Sequence, residues 1–182
     1  DDLIVRAARA LQVASGCPLG AHVGVVKRIP EQAGMGGGSS DAATTLLALN
    51  RLWQLGLTRS ELMALAAPLG ADVPFFLGGT NAWVEGIGEQ LTALTGTASV
   101  PQQRFVVLKP TAGLQTPAIF SRLSALDYFG NATISGFAAD HFGFGRNDLQ
   151  SIAEVLCPEI SQALLWPESL GLHGRMTGSG SA

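Results

Sequence analysis

One run of residues offers chemistry before any other: Pro30-Glu31-Gln32-Ala33-Gly34-Met35-Gly36-Gly37-Gly38-Ser39-Ser40-Asp41-Ala42-Ala43. Four of the five residues from Gly34 to Gly38 are glycine, so no Cβ keeps a ligand off the backbone there. The apolar pattern that follows reads as a helix. Its N-terminus presents free N–H groups and the positive end of the helix dipole, both of which favour an anion such as phosphate. Ser39 and Ser40 can cap that helix, donate to a phosphate oxygen, or help hold a metal carried by the phosphates. A plain strand-to-helix turn would also use glycine. Three adjacent glycines followed by two hydroxyls favour the anion site. The run lacks the Gly-Lys-Ser/Thr ending of a Walker A loop and the glycine spacing of a dinucleotide fingerprint.

A second candidate is Asp72, in Leu69-Gly70-Ala71-Asp72-Val73-Pro74-Phe75-Phe76. A carboxylate in so apolar a run is costly to bury unless it has a task or a partner. It can orient or deprotonate an attacking hydroxyl, or it can serve as a helix N-cap or turn residue. A third is the terminal Arg175-Met176-Thr177-Gly178-Ser179-Gly180-Ser181, which suggests close backbone approach to a ligand or a flexible tail. His22, His141 and His173 lack the spacing of metal ligands and read as ordinary histidines. Phe144 reads either as core or as a platform for a planar base.

The elements that must position these residues follow from periodicity. Leu3 to Ala14 reads as a helix with Leu3, Ala7, Ala8 and Leu11 on one stripe. His22 to Ile29 reads as a valine-rich strand ending at Pro30. A long helix is expected from Ser39 or Ser40 to about Gln54, with Leu46, Leu49 and Trp53 on one face. Thr58 and Glu61 form a capping-box pattern. Asn81 to Glu85 and Glu89 to Leu94 flank Gly86-Ile87-Gly88 as a hairpin. The polar stretch from Gly96 to Gln103 marks a lobe boundary, dividing the chain into 1–98 and 99–182. Arg104 to Lys109 reads as a strand, Thr116-Pro117 as a helix start, and Leu126 to Gly145 as a loop. Asp148 to Leu156 and Glu159 to Trp166 read as helices. Helices mixed with hairpin-like connections give an α+β class.

Composition narrows the partners. The chain has 182 residues and is 47% hydrophobic and 14% charged, which suits a sizeable core. A net charge of −3 carries no basic footprint for nucleic acid. No apolar run is long enough to span a membrane. Cys17 and Cys157 are far apart and fit reduced thiols in a cytoplasmic protein. The opening Asp1-Asp2-Leu3 and the stop inside a glycine-rich run read as a fragment lacking material on both sides.

Taken together, these motifs resemble the GHMP kinases. Within them, Gly36-Gly37-Gly38-Ser39-Ser40-Asp41-Ala42-Ala43-Thr44 resembles the branch that phosphorylates 4-diphosphocytidyl-2-C-methyl-D-erythritol. Asp2 to Arg9, Ala48 to Trp53, Leu69 to Pro74 and Gly174 to Gly180 match in the same order. The resemblance implies a two-lobe fold, with a ribosomal-S5-like N-terminal lobe and a ferredoxin-like C-terminal lobe, truncated at both ends. It implies ATP and Mg²⁺ as cofactors, and transfer of phosphate to the 2-hydroxyl of a small-molecule substrate in isoprenoid precursor synthesis. Pro30, Gly34, Gly36, Gly37, Gly38, Ser39 and Ser40 would bind the ATP phosphates. Asp72 would be the catalytic aspartate. Phe144 would stack on cytosine, and Gly178 and Ser179 would bind substrate. The family's catalytic lysine lies upstream of Asp1, and strands of both lobes' sheets fall outside the 182 residues, so the chain alone is expected to be inactive and poorly folded. Asp2 stands where asparagine is usual in the family, and Met35 where leucine is usual. Homoserine- or mevalonate-type kinases, and a non-catalytic nucleotide-binding module, are the alternatives.

Overall fold

A computed structural model describes residues 2–123 and 132–182. These fall into two compact units, Asp1–Lys27 with Gly36–Val100, and Arg28–Met35 with Pro101–Ala182. The mixture of helices and a small antiparallel sheet is α+β.

The first unit is built on helix α1 (Leu3–Ser15), α2 (Gly37–Leu52), α3 (Arg59–Ala66) and α4 (Val73–Gly78). The apolar stripe read from the sequence is the face that packs. Ala7, Leu11, Ala42, Ala43, Leu46, Leu49 and Trp53 share one core with Leu62, Ala66, Val73 and Leu77. The alanines of α1 and α2 are short enough for the two helices to meet closely. Asp2 caps α1 by accepting from the Ile4 N–H at 2.9 Å. Thr58 and Glu61 form the expected capping box at the start of α3: the Glu61 N–H donates to Thr58 Oγ1, and the Thr58 N–H donates to Glu61 Oε2. The hairpin is also as expected. Strands β1 (Ala82–Glu85) and β2 (Gln90–Ala93) pair antiparallel, with Ala82 opposite Ala93 and Glu85 opposite Gln90.

The second unit holds α5 (Thr116–Phe120), α6 (Ile134–Ala139), α7 (Gln150–Leu156) and α8 (Pro158–Ser169). Its core is Leu114, Ile119, Ala153, Cys157, Ile160 and Met176. Burial pushes the Cys157 thiol pKa up, and the neighbouring Glu159 carboxylate adds to the effect.

Three local expectations are corrected. His22 to Ile29 and Arg104 to Lys109 belong to no sheet, and Val26 (83% exposed) and Val106 (79%) face solvent. A strand is defined by its ladder, and among the described residues only β1 and β2 pair. Part of the expected 126–145 loop is helical. Thr133 caps α6 by accepting from the Gly136 N–H at 3.1 Å, so a short turn of helix forms where glycine and phenylalanine suggested irregularity. The remainder of that loop up to residue 131 lies outside the described residues. Helix α5 begins at Thr116 itself, with Gln115 in the cap position and Pro117 just inside the first turn, because proline's fixed φ suits either early position.

Two predictions follow from this packing. Leu46 is fully buried, so Leu46→Ala should lower stability by about 2–5 kcal/mol in urea denaturation. Asp2→Ala should cost about 1 kcal/mol by losing the α1 cap. The Asp2 carboxyl sits below its ordinary value of 3.8, chiefly because the Ile4 N–H donates to it, helped by Lys27 against some burial. Its contribution is therefore complete above the ordinary carboxylate range and is lost as pH falls through the lowered value. The wild-type advantage over Asp2→Ala should be full at about pH 7 and should shrink as pH falls below the ordinary carboxyl value of 3.8.

Candidate functional site

The glycine loop departs from expectation at its most informative point. Helix α2 begins at Gly37, not at Ser39 or Ser40, and no side chain caps it. Gly36 occupies the cap position in a left-handed conformation, with φ +67°, which non-glycine residues rarely adopt. Its carbonyl accepts the first intrahelical bond, from the Ser40 N–H at 2.9 Å. Serine is the commoner cap residue, but here the backbone turn at Gly36 starts the helix two residues before either serine can serve. The N–H groups of Gly37, Gly38 and Ser39 precede that first bond and have no helical acceptor. The first turn carries no acidic side chain, which suits an anion at the positive end of the helix dipole. Ser39 and Ser40 sit at this end of the helix and are half-buried.

Gly36 is required sterically as well. A Cβ there would lie 2.8 Å from the ring of Phe76, on α4. That same short helix carries Asp72 at its cap position. The Asp72 carboxylate makes no capping hydrogen bond and is solvent-exposed, so the helix-cap role does not occupy it. The backbone before Asp72 is pinned by the hairpin turn: a Cβ on Gly88 would run into the Ala71 carbonyl. Thus Phe76 on one side and Gly88 on the other fix the segment that presents Asp72.

A charge cluster joins α1 to α2, and nothing in the sequence pattern announces it. Lys27 Nζ lies 2.6 Å from Asp41 Oδ2 and 3.5 Å from Asp2 Oδ2. The hydrogen bond to Asp41 raises the Lys27 pKa. The spacing of 14 residues between Lys27 and Asp41 fits no local motif, so only the fold reveals the pair.

In the second unit, Pro30 is exposed and Gly34 has φ +71°. A Cβ on Gly34 would collide with the Thr177 carbonyl, and one on Gly178 would lie 2.7 Å from the Gly34 carbonyl. The terminal glycine run is therefore a packed partner of the start of the loop, not a loose tail. Ser179 Oγ is 2.7 Å from Thr116 Oγ1. Phe144 is half-buried, edge-on to Phe137 with ring centroids 6.3 Å apart, and its ring leaves no room for a side chain at Gly136. Arg175 donates to the carbonyls of Phe144 and Phe142 at 2.9 and 3.0 Å and ties this aromatic segment to the terminal run. Asn147 also holds that run and was not singled out by the sequence pattern. Among the described residues, no group of three or more His, Cys, Asp or Glu side chains is placed to hold a metal ion by itself. None of their helices is long and apolar enough to cross a membrane.

Comparison with known proteins places this arrangement. Residues 2–80 match the GHMP kinases N terminal domain. Across its whole length the chain is 65% identical to a 4-diphosphocytidyl-2-C-methyl-D-erythritol kinase of Delftia acidovorans and 63% identical to one of Acidovorax sp. strain JS42. It spans 63% and 64% of the length of those two relatives. A crystal structure titled 4-(cytidine 5'-diphospho)-2C-methyl-D-erythritol kinase superposes with a TM-score of 0.74 at 34% identity, over 99% of this chain and 66% of that one. Over residues 2–80 the chain is thus similar to the N-terminal domain of the GHMP kinases, and over its whole length it is similar to part of proteins named as kinases.

Proposed function

We propose that the protein of which this chain forms part or all is a kinase that transfers the γ-phosphoryl group of ATP to the 2-hydroxyl of 4-diphosphocytidyl-2-C-methyl-D-erythritol, in cytoplasmic isoprenoid precursor synthesis. The observation that carries this reading is the uncapped start of α2, where three N–H groups are open and the first turn carries no acidic side chain. An ATP phosphate chain matches such a cradle in charge, size and hydrogen-bonding capacity. The substrate assignment rests on the names of relatives that are 58–65% identical to this chain.

In this mechanism Gly36, Gly37, Gly38, Ser39 and Ser40 hold the phosphates through backbone N–H groups and hydroxyls, and Pro30 and Gly34 shape the loop's entry. Mg²⁺, which suits phosphate oxygens and few protein ligands, would offset phosphate charge near the two serines. Asp72 orients the substrate hydroxyl and accepts its proton as the oxygen attacks phosphorus. Its exposure and unused carboxylate support that role. Phe144 stacks on the cytosine, and Gly178 and Ser179 contact the substrate. We assign the two lobes to residues 1–98 and 99–182, ribosomal-S5-like and ferredoxin-like, with residues 28–35 packed in the second compact unit.

Asp72→Asn in the intact gene product should lower kcat by about a hundredfold or more, with ATP affinity largely kept. A coupled assay for turnover and calorimetry for binding check both halves. Near-normal turnover would refute the role of Asp72. Gly36→Ala meets both the left-handed φ and the Phe76 ring, so it should weaken ATP binding at least tenfold by calorimetry. Assays on homoserine and mevalonate should show no comparable turnover.

A further inference from the structure

Among the described residues no strand pairs with Met176 to Gly178; the Thr177 N–H donates to the Ala182 carbonyl, and the rest of the pairing comes from two side chains, Asn147 in the turn before α7 and Gln150 at its first residue. The Met176 N–H donates to Gln150 Oε1 at 3.0 Å. Asn147 Nδ2 donates to the Met176 carbonyl at 3.0 Å and to the Gly178 carbonyl at 2.7 Å. Asn147 Oδ1 accepts from the Leu149 N–H at 3.0 Å, in the turn that leads into α7. Every hydrogen-bonding group of this amide is therefore engaged, and only an amide offers two donors and an acceptor in this arrangement. The run so held is seated against the beginning of the glycine loop. The Ser181 N–H donates to the Gln32 carbonyl at 3.2 Å, and a Cβ on Gly180 would overlap the backbone of Ala33 and Gly34.

We propose that Asn147 is a positioning residue for phosphoryl transfer: its side-chain amide sets the register of Met176 to Gly178 and, through that run, the seat of Gln32 to Gly34. This inference rests on the kinase reading given above. It acts at a distance from the reacting atoms, and displacements of about 1 Å in such supports can cost about a hundredfold in rate.

The test is Asn147→Asp in the intact gene product. Aspartate keeps the acceptor for Leu149 and loses both donors. At about pH 8 its kcat should fall at least tenfold below wild type. A carboxyl facing two carbonyls favours its neutral form, and protonation restores one O–H donor. The ratio of variant to wild-type kcat should therefore rise several-fold as pH falls to about 5.5. Asn147→Ala, with no such proton, should show no rise. Amide hydrogen exchange should quicken for Met176 to Ser181 in Asn147→Asp while α7 stays protected. Wild-type kcat at every pH, an equal rise in both variants, or loss of α7 protection would each overturn the proposal. The last result would mean that Asn147 holds the fold and not the loop. If the wild-type protein does not phosphorylate the substrate, the kinase reading fails, and the exchange pattern alone then decides whether Asn147 holds this run.

Discussion

Much of the first unit depends on one backbone conformation, the left-handed turn at Gly36. A side-chain cap would satisfy the first N–H groups of α2 and close its end to ligands. A glycine turn starts the helix without supplying any such acceptor, which leaves Gly37, Gly38 and Ser39 open. The same absence of a Cβ lets the Phe76 ring rest on the loop. Helix start, proposed ligand cradle and packing of α4 thus share one requirement. Any side chain at this position would disturb all three.

The consequence reaches Asp72. Helix α4 is only six residues long and could not hold a carboxylate in place through its own hydrogen bonds. It is steadied by Val73 and Leu77 in the core, by Phe76 against Gly36, and by the Ala71 carbonyl against Gly88. The proposed phosphate cradle and the proposed proton acceptor are therefore carried by elements that touch one another within a single core. The Lys27–Asp41 pair adds an electrostatic tie at the start of α2, and Asp2 joins it to the cap of α1. Exposed pairs of this kind contribute little to stability.

Features governed by neighbours in sequence were legible in the sequence. The Thr58–Glu61 capping box, the hairpin around Gly86 to Gly88, and the buried stripe of Leu46, Leu49 and Trp53 need only local spacing, and each stands where spacing put it. Features set by distant partners were not. Residues 22–29 and 104–109 have strand composition but no ladder among the described residues, and composition cannot supply a partner. Propensity placed serine at the α2 cap, whereas the turn at Gly36 and its Phe76 neighbour moved the helix start to Gly37. Lys27 and Asn147 act across 14 and about 30 residues of chain, beyond any local pattern.

The central claim is that the open end of α2 receives phosphate. The most direct measurement is the amide resonances of Gly37, Gly38 and Ser39 in the intact gene product as Mg²⁺–ATP is added. The account predicts saturable shifts of these three N–H groups, larger than those elsewhere in α2, with adenosine alone producing far smaller changes. Saturable ATP binding that leaves these three resonances unmoved would contradict it.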